Sequence, residues 1–164
     1  MKIYQLRQTQ VLPITIQQAW DFFSNPANLG EITPKHMKFR ILSNSGSESM
    51  YPGQSIRYRI RILPAIWVNW LTEITQVSSH QYFVDEQRKG PYAFWQHKHH
   101  FKEVPGGVEI TDELRYAIPL GWLGTLVQRF FVGQELETIF AHRRAVLENK
   151  FKTEKKGRIL SGSI

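Results

Sequence analysis

Apolar and polar residues alternate along much of this 164-residue chain, a pattern typical of half-buried β-strands. The clearest stretch is residues 55–63, in which apolar side chains alternate with three arginines. The pattern predicts strands at residues 3–12, 38–43, 55–63, 67–77, 81–87, 93–104 and 108–118. Because short turns separate the last four strands, we expect an antiparallel meander.

Two short helices are predicted after the first strand, and one long helix near the C-terminus. Thr15 and Gln18 have the spacing of a capping box, and Asn25 followed by Pro26 is typical of a second helix start. Beyond residue 124 the apolar period becomes helical, and one stripe contains Leu136, Ile139, Arg143, Leu147 and Phe151. We expect this helix to end before Lys152 and the charged segment 152–164 to be disordered.

This order of elements predicts a single α+β domain over residues 1–151. A curved antiparallel sheet of about seven strands would wrap around the long helix, and the two short helices would close its open side. The concave face carries polar groups that a dry core does not tolerate unpaired. We therefore expect a cavity between the sheet and the C-terminal helix.

The composition also favours a lined cavity. Aromatic residues make up 13% of the chain, and Trp95, His97, His99 and Phe101 share one face of a predicted strand. The absence of cysteine excludes disulfides, thiolate metal sites and a Cys nucleophile.

Charge and hydropathy limit the partners that we expect. The formal charge of +7 predicts weak attraction to anions, but no aromatic stacking platform accompanies the arginine stripe, so nucleic-acid binding is not expected. No apolar run approaches the roughly 18 residues of a membrane span, and the first residues lack the apolar core of a signal peptide. We expect a cytoplasmic protein without stable membrane insertion.

Four segments give the chain a family resemblance. They are LPITIQQAWDFFSNPANL (residues 12–29), YPG (51–53), FVDEQRKGPY (83–92) and PLGWLG (119–124). Together with the element order they resemble the SRPBCC superfamily of START and birch-pollen-allergen proteins, in a bacterial branch described only as ligand-binding. The resemblance covers residues 1–151 and implies the helix-grip fold.

The superfamily includes lipid and sterol carriers, quinone-binding proteins and polyketide cyclases, so the resemblance implies a ligand site without naming the ligand. Our first hypothesis is the binding of a small hydrophobic ligand, aromatic or isoprenoid, between sheet and C-terminal helix. One alternative is a cyclase, dehydratase or isomerase that uses a His–Asp pair. Another is a regulatory module whose basic tail binds a protein partner. We favour a binding protein over an enzyme and expect no cofactor.

The last two strands allow a prediction of register. If residues 104–107 form the turn, the facing pairs are Phe101–Ile110, His99–Asp112, His97–Leu114 and Trp95–Tyr116. A slip by one residue would place lysines beside apolar residues. His99, Asp112 and His97 are the candidates for acid–base catalysis. The alternatives are a polar anchor for a ligand and a His–Asp pair that only satisfies itself.

Two carboxylates are also predicted ligand contacts, but each faces the cavity only if its strand pairs with the next one in a particular register. Glu86 faces the cavity if Gln87 pairs with Tyr92, whereas a loop one residue different in length substitutes Asp85. Glu73 joins only if the turn that follows its strand has two residues. For each carboxylate, a salt bridge or a place at the cavity rim is the simpler interpretation.

The remaining predicted ligand contacts are Trp95, Tyr116 and Arg143. Arg143 interrupts the apolar stripe of the long helix. It either extends its charged end to solvent, which we prefer, or faces the cavity and offers a bidentate contact to an anion.

His97, His99 and Glu103 have the spacing of the first metal motif of cupins, which raises the question of a metal site. Glu103 lies at the predicted turn, and Gly124 occupies the position where the second motif needs a histidine. We therefore expect no metal ligands.

Overall fold

The computed structural model describes residues 1–45, 50–63, 66–119, 126 and 128–161, with the backbone alone for residues 63 and 153–161. The strands of these residues are β1 (Tyr4–Leu12), β2 (Arg40–Asn44), β3 (Ser55–Leu63), β4 (Ile66–Ser78), β5 (Tyr82–Lys89), β6 (Phe94–Val104) and β7 (Gly107–Ala117). The α-helices are α1 (Ile16–Phe23), α2 (Leu29–Ile32) and α3 (Gly133–Ser161). Short 3-10 helices at Pro26–Asn28 and Lys35–Met37 flank α2, and a π-helical turn, Gln128–Val132, leads into α3.

The seven strands form one antiparallel sheet in the order β1-β7-β6-β5-β4-β3-β2. Helix α3 packs on one face of this sheet. Near its start, Leu136 and Phe140 contact Leu114 of β7. Farther along, Leu147 and Phe151 join the core that α1 forms with the sheet. The predicted helix-grip architecture, with seven strands, two short helices after β1 and a long C-terminal helix, is confirmed.

The short helices begin where the sequence predicts. The hydroxyl of Thr15 accepts from the backbone N–H of Gln18 at 3.2 Å, and the Gln18 side chain accepts from the Thr15 N–H at 3.0 Å. The Asn25 side chain caps the following 3-10 helix by accepting from Ala27 N–H at 3.0 Å. These caps turn the chain out of β1 and across the end of the sheet.

Helix α3 is longer than predicted, because it continues to Ser161 and not only to Phe151. The charged segment contains strong helix formers, and Lys152 contacts Glu148 one turn earlier at 3.4 Å. Residues 162–164 and all of the segment 119–124 except Pro119 lie outside the described residues. Among the residues described, no helix has both the length and the apolarity needed to cross a membrane.

The register of β6 and β7 is the predicted one, with His99 opposite Asp112 and Trp95 opposite Tyr116. The predicted register of β5 and β6 is wrong. Asp85 lies opposite His97, because the last facing pair is Glu86–Gln96 and the residues 87–95 between them form a connection longer than a tight turn. The observed pairing is shifted from the predicted one by an odd number of residues. Such a shift exchanges the two faces of β5, so Asp85 takes the place predicted for Glu86.

Candidate functional site

Five ionisable side chains meet on the face of the sheet that α3 covers. His97 and His99 come from alternate positions of β6 and therefore point to the same side. Asp112 of β7 lies opposite His99, and Asp85 of β5 lies opposite His97. Arg143 reaches the group from the middle of α3. We call these five residues the polar cluster.

Asp112 is the centre of the polar cluster. Its Oδ1 lies 2.7 Å from Nδ1 of His99 and 3.2 Å from Nε2 of His97. The same oxygen lies 3.1 Å from Nη2 of Arg143. One buried carboxylate thus neutralises the arginine and orients both imidazole rings, as buried charges require.

Asp85 faces the opposite side of the two rings. Its Oδ2 lies 3.1 Å from Nε2 of His99 and 3.8 Å from Nδ1 of His97. The two rings are in van der Waals contact, with centroids 3.8 Å apart. Each histidine therefore has one nitrogen directed at Asp112 and the other directed at Asp85.

Arg143 points inward and does not extend to solvent, so the preferred prediction for this residue is wrong. The residue is only 7% exposed, and its guanidinium lies over the ring of Phe23 at 5.2 Å. Its Nη2 also lies 3.3 Å from Nδ1 of His99. Within the described part of the chain, its buried Nε has no hydrogen-bond partner. This N–H is a buried donor that the cluster leaves unsatisfied, which is uncommon in folded proteins.

The pKa values of the buried aspartate and of the two histidines in the polar cluster shift in different directions. Burial raises the pKa of Asp112, but the Arg143 charge and the hydrogen bonds from both histidines outweigh burial and hold this pKa well below its ordinary value. Burial and the neighbouring His99 lower the pKa of His97. Burial also opposes the charged form of His99, yet its hydrogen bonds to Asp112 and Asp85 raise its pKa. Between the two histidine pKa values, His99 is charged and His97 is neutral.

A cavity of about 130 Å³ lies beside the polar cluster. Asp85, His97, His99 and Arg143 form the charged part of its wall. The rest is mainly apolar and comes from the short helices and strands β3 to β6: Phe22, Phe23, Leu29, Ile32, Ile56, Tyr58, Ile74, Phe83 and Trp95. The Tyr58 hydroxyl is paired with Thr72 Oγ1 at 3.3 Å. The wall therefore combines apolar with charged side chains.

The structure brings together most of the predicted site residues. Trp95, His97, His99 and Arg143 line the cavity, and Asp112 lies behind the histidines.

Three predicted contacts lie elsewhere. Tyr116 stacks on Tyr4, with ring centroids 5.6 Å apart, and packs beside the cavity. Glu73 and Glu86 lie on the opposite face of the sheet, where Arg88 binds them at 3.0 and 2.9 Å. The turn between β4 and β5 has three residues and not two, since Ser78 pairs with Tyr82. Glu73 points outward because a β-bulge between Ile74 and Gln76 shifts the register and places Glu73 opposite Glu86.

Asp85 and Tyr58 are the site residues that the sequence analysis did not place first. The run Tyr82-Phe83-Val84 is apolar on both faces of β5, so its alternation gave no sign of which carboxylate points inward. For Tyr58 a signal existed, since it shares the apolar face of the alternating strand with Ile56.

The comparisons with known proteins bear on the whole domain. A sequence profile described as "Polyketide cyclase / dehydrase and lipid transport" matches residues 12–142. The chain belongs to this family. The match begins at the last residue of β1 and covers β2 to β7 and the part of α3 that carries Leu136 and Phe140. It confirms the resemblance to the SRPBCC superfamily. A comparison with curated proteins finds no match.

Solved structures of similar fold share little sequence with this family member. A Chromobacterium violaceum protein has a TM-score of 0.69 at 9% identity, covering 90% of this chain and 97% of that one. The di-domain aromatase/cyclase BexL of the BE-7585A biosynthetic pathway has a TM-score of 0.68 at 18% identity, covering 91% of this chain and 50% of BexL. Ara h 8.0201 has a TM-score of 0.56 at 16% identity, covering 89% and 98%. These likenesses establish the fold alone.

Proposed function

We propose that this protein binds a small, mainly apolar molecule with one polar end in the cavity between the sheet, the short helices and α3. The observation that carries the proposal is the mixed lining of the cavity: aromatic and aliphatic side chains together with Asp85, His97, His99 and Arg143. Ligand pockets typically combine an apolar lining with a few convergent polar groups. The family description, which includes lipid transport, supports the same class of ligand.

The size of the cavity limits what is buried. A cavity of about 150 Å³ lined by apolar side chains binds benzene, and this one has about 130 Å³. The buried part of the ligand is therefore about the size of one aromatic ring or one isoprenoid unit. Aromatic walls such as Phe23 and Trp95 suit ring stacking and edge contacts.

The polar end of the ligand would lie against His99 and Arg143. Arg143 lines the cavity with a charged guanidinium, and a hydrogen bond to a charged donor is about twice as strong as a neutral one. A carbonyl, phenol or carboxylate oxygen is the matching acceptor. The proposed ligand is thus an apolar ring or isoprenoid carrying one oxygen-based group.

The test combines a displaceable lipophilic dye with two matched substitutions. Ile56→Phe enlarges a buried side chain in the cavity wall, whereas Ile66→Phe makes the same change at an exposed position of the neighbouring strand. Native mass spectrometry of protein purified from its source identifies any ligand that copurifies.

We expect Ile56→Phe to weaken dye binding at least about tenfold through steric overlap with the bound ring. Ile66→Phe should bind as the wild type does. A wild-type protein that binds no lipophilic dye and copurifies with none would overturn the proposal, as would equal binding by both variants. Thermal unfolding of each variant separates loss of binding from loss of the fold.

A second candidate function is acid–base catalysis of the cyclase, dehydratase or isomerase kind. It is favoured by one observation: Asp112 fixes Nδ1 of His99, while Nε2 of the same ring lies in the cavity wall beside Asp85. An imidazole with one nitrogen oriented by a carboxylate and the other facing the ligand is a common arrangement for a general acid or base.

Turnover of small polyketone substrates tests this second function. His99→Gln and Asp112→Asn should abolish turnover, while the outward-facing His100→Gln should leave it unchanged. Dye binding without turnover of any substrate would support the binding function alone.

A further inference from the structure

We propose that Asp85, His97 and His99 form a binding site for one divalent transition-metal ion, of the zinc(II) or iron(II) class. Each of the three residues offers one ligand atom, and these atoms all lie within 4.8 Å of one another. The site does not depend on the apolar ligand proposed above.

The hydrogen-bond donors of the cluster identify the nitrogens that are free to bind. A carboxylate only accepts hydrogen bonds, so the nitrogens that face Asp112 carry protons: Nδ1 of His99 and Nε2 of His97. In the metal-free protein Nε2 of His99 donates its proton to Oδ2 of Asp85 at 3.1 Å, whereas Nδ1 of the neutral His97 ring has a lone pair and faces the same oxygen at 3.8 Å. Metal binding would release the His99 proton, and the two nitrogens and Oδ2 would then be three acceptors around one cation.

The distances suit a metal ion. A tetrahedral ion with bonds of about 2.1 Å separates its ligand atoms by roughly 3.4 Å. Oδ2 of Asp85 lies 3.1 Å from Nε2 of His99 and 3.8 Å from Nδ1 of His97, on either side of this value. The longer distance exceeds a hydrogen bond. An ion between the three atoms would engage the His97 nitrogen that a direct hydrogen bond to Asp85 does not reach.

Asp112 has the role that a second carboxylate has in many metal sites. Histidines that bind metals usually donate their other N–H to a carboxylate, which fixes the tautomer and the ring orientation. Asp112 accepts from both histidines here, and its remaining charge is neutralised by Arg143. The arrangement of ligands and supporting carboxylate is therefore complete on the protein side.

The donor set indicates the kind of metal. Two imidazoles and one carboxylate suit zinc(II), iron(II) and neighbouring ions, whereas calcium and magnesium prefer oxygen ligands alone. Three protein ligands leave at least one coordination position open. Because Asp85, His97 and His99 all line the cavity, this position faces it. With one carboxylate bound, a divalent ion retains one positive charge, which favours hydroxide or an anionic ligand oxygen at the open position.

The sequence suggested a different third ligand. Glu103 completes the spacing with His97 and His99, but it lies near the β6–β7 turn and its side chain is exposed. The structure replaces it with Asp85 from the neighbouring strand, which no linear motif contains.

The experiment is a titration of the full chain, freed of metal by a chelator, with Zn²⁺ and with Co²⁺ as a coloured probe. The test variants are Asp85→Asn and His99→Ala. The control is His100→Ala, which removes a histidine from the same strand but on its opposite face, 3.9 Å from Glu113.

We expect the wild type and His100→Ala to bind one equivalent with the visible absorption of low-coordinate cobalt. Asp85→Asn and His99→Ala should bind about 100-fold more weakly or worse, and Asp112→Asn about 10- to 100-fold more weakly. If circular dichroism shows that His99→Ala does not fold, the metal affinity of the nearly isosteric Asp85→Asn variant is the deciding measurement.

Equal affinity of the wild type and Asp85→Asn would overturn the metal site, as would an equal loss in His100→Ala. Dye binding is followed in the same samples. A wild type that binds the dye but no metal overturns this inference alone, and one that binds metal but no dye overturns the proposed function alone.

Discussion

Nδ1 of His99 lies 2.7 Å from Oδ1 of Asp112, across the hairpin of β6 and β7. The same oxygen accepts from Arg143 of α3, so this one carboxylate connects the sheet to the terminal helix through charge. Its loss would leave a buried guanidinium without its counter-ion, which is far more costly than the loss of a surface ion pair.

Asp112→Asn should therefore destabilise the metal-free protein by about 3–5 kcal/mol. Glu113→Gln is the matched control, since the adjacent side chain faces outward and pairs with Arg7 at 3.3 Å on the surface. That change should cost less than about 1 kcal/mol. Urea unfolding of both variants in the presence of a chelator measures the difference. Similar losses of stability in the two variants would mean that Asp112 does not stabilise the buried Arg143.

Removing both partners should cost less than the sum of the single changes. Arg143→Met takes away the buried cation and fills its space, and the pair with Asp112→Asn leaves no uncompensated charge between them. A double-mutant cycle should give a coupling energy of roughly 1–3 kcal/mol. Arg144→Met, at the exposed neighbouring position, should show no coupling to Asp112→Asn. If the losses in unfolding free energy from Arg143→Met and Asp112→Asn were strictly additive, the ion pair between the two residues would be contradicted.

Stability should fall in alkali because of Tyr58. Burial, with the nearby Asp85, raises its pKa well above 10.0, despite its hydrogen bond to Thr72. The folded state thus holds this proton more tightly than the unfolded chain does. The resulting stabilisation is fully present below about pH 10 and is lost as the pH rises above that value.

The measurement is the urea midpoint of unfolding across the alkaline range, for the wild type and Tyr58→Phe. The variant has no phenol to titrate at this position, so its midpoint should fall less steeply above about pH 10. Parallel curves for the two proteins would exclude Tyr58 as the cause.

Gly107 should be the less replaceable of the two glycines in the β6–β7 turn. Both have positive φ, 94° at Gly106 and 152° at Gly107. A Cβ at Gly106 meets open space, whereas one at Gly107 collides with the backbone carbonyl of Leu12 in β1. Gly106→Ala should cost about 1–2 kcal/mol from the left-handed backbone alone. Gly107→Ala should destabilise the protein more, because the Leu12 backbone must move. Equal decreases in melting temperature for the two variants would refute this contact.

Local signals made the fold predictable. The alternation of apolar residues, the capping box at Thr15 and the helical stripe ending at Phe151 each depend on neighbours in sequence, so they identify strands and helices without a structure. The β6–β7 register was predictable for the same reason, since a tight turn and the need to bury Phe101 and Ile110 leave one acceptable pairing.

The sequence by itself thus determined the α+β architecture, the family and the pairing of His99 with Asp112. Only the tertiary structure decided that Asp85 and not Glu86 faces inward, because that depends on the length of an irregular loop. It also decided that Arg143 points into the protein, because its partner lies on β7, far away in sequence. Contacts between distant segments follow from packing and charge neutralisation in three dimensions, and no linear spacing encodes them.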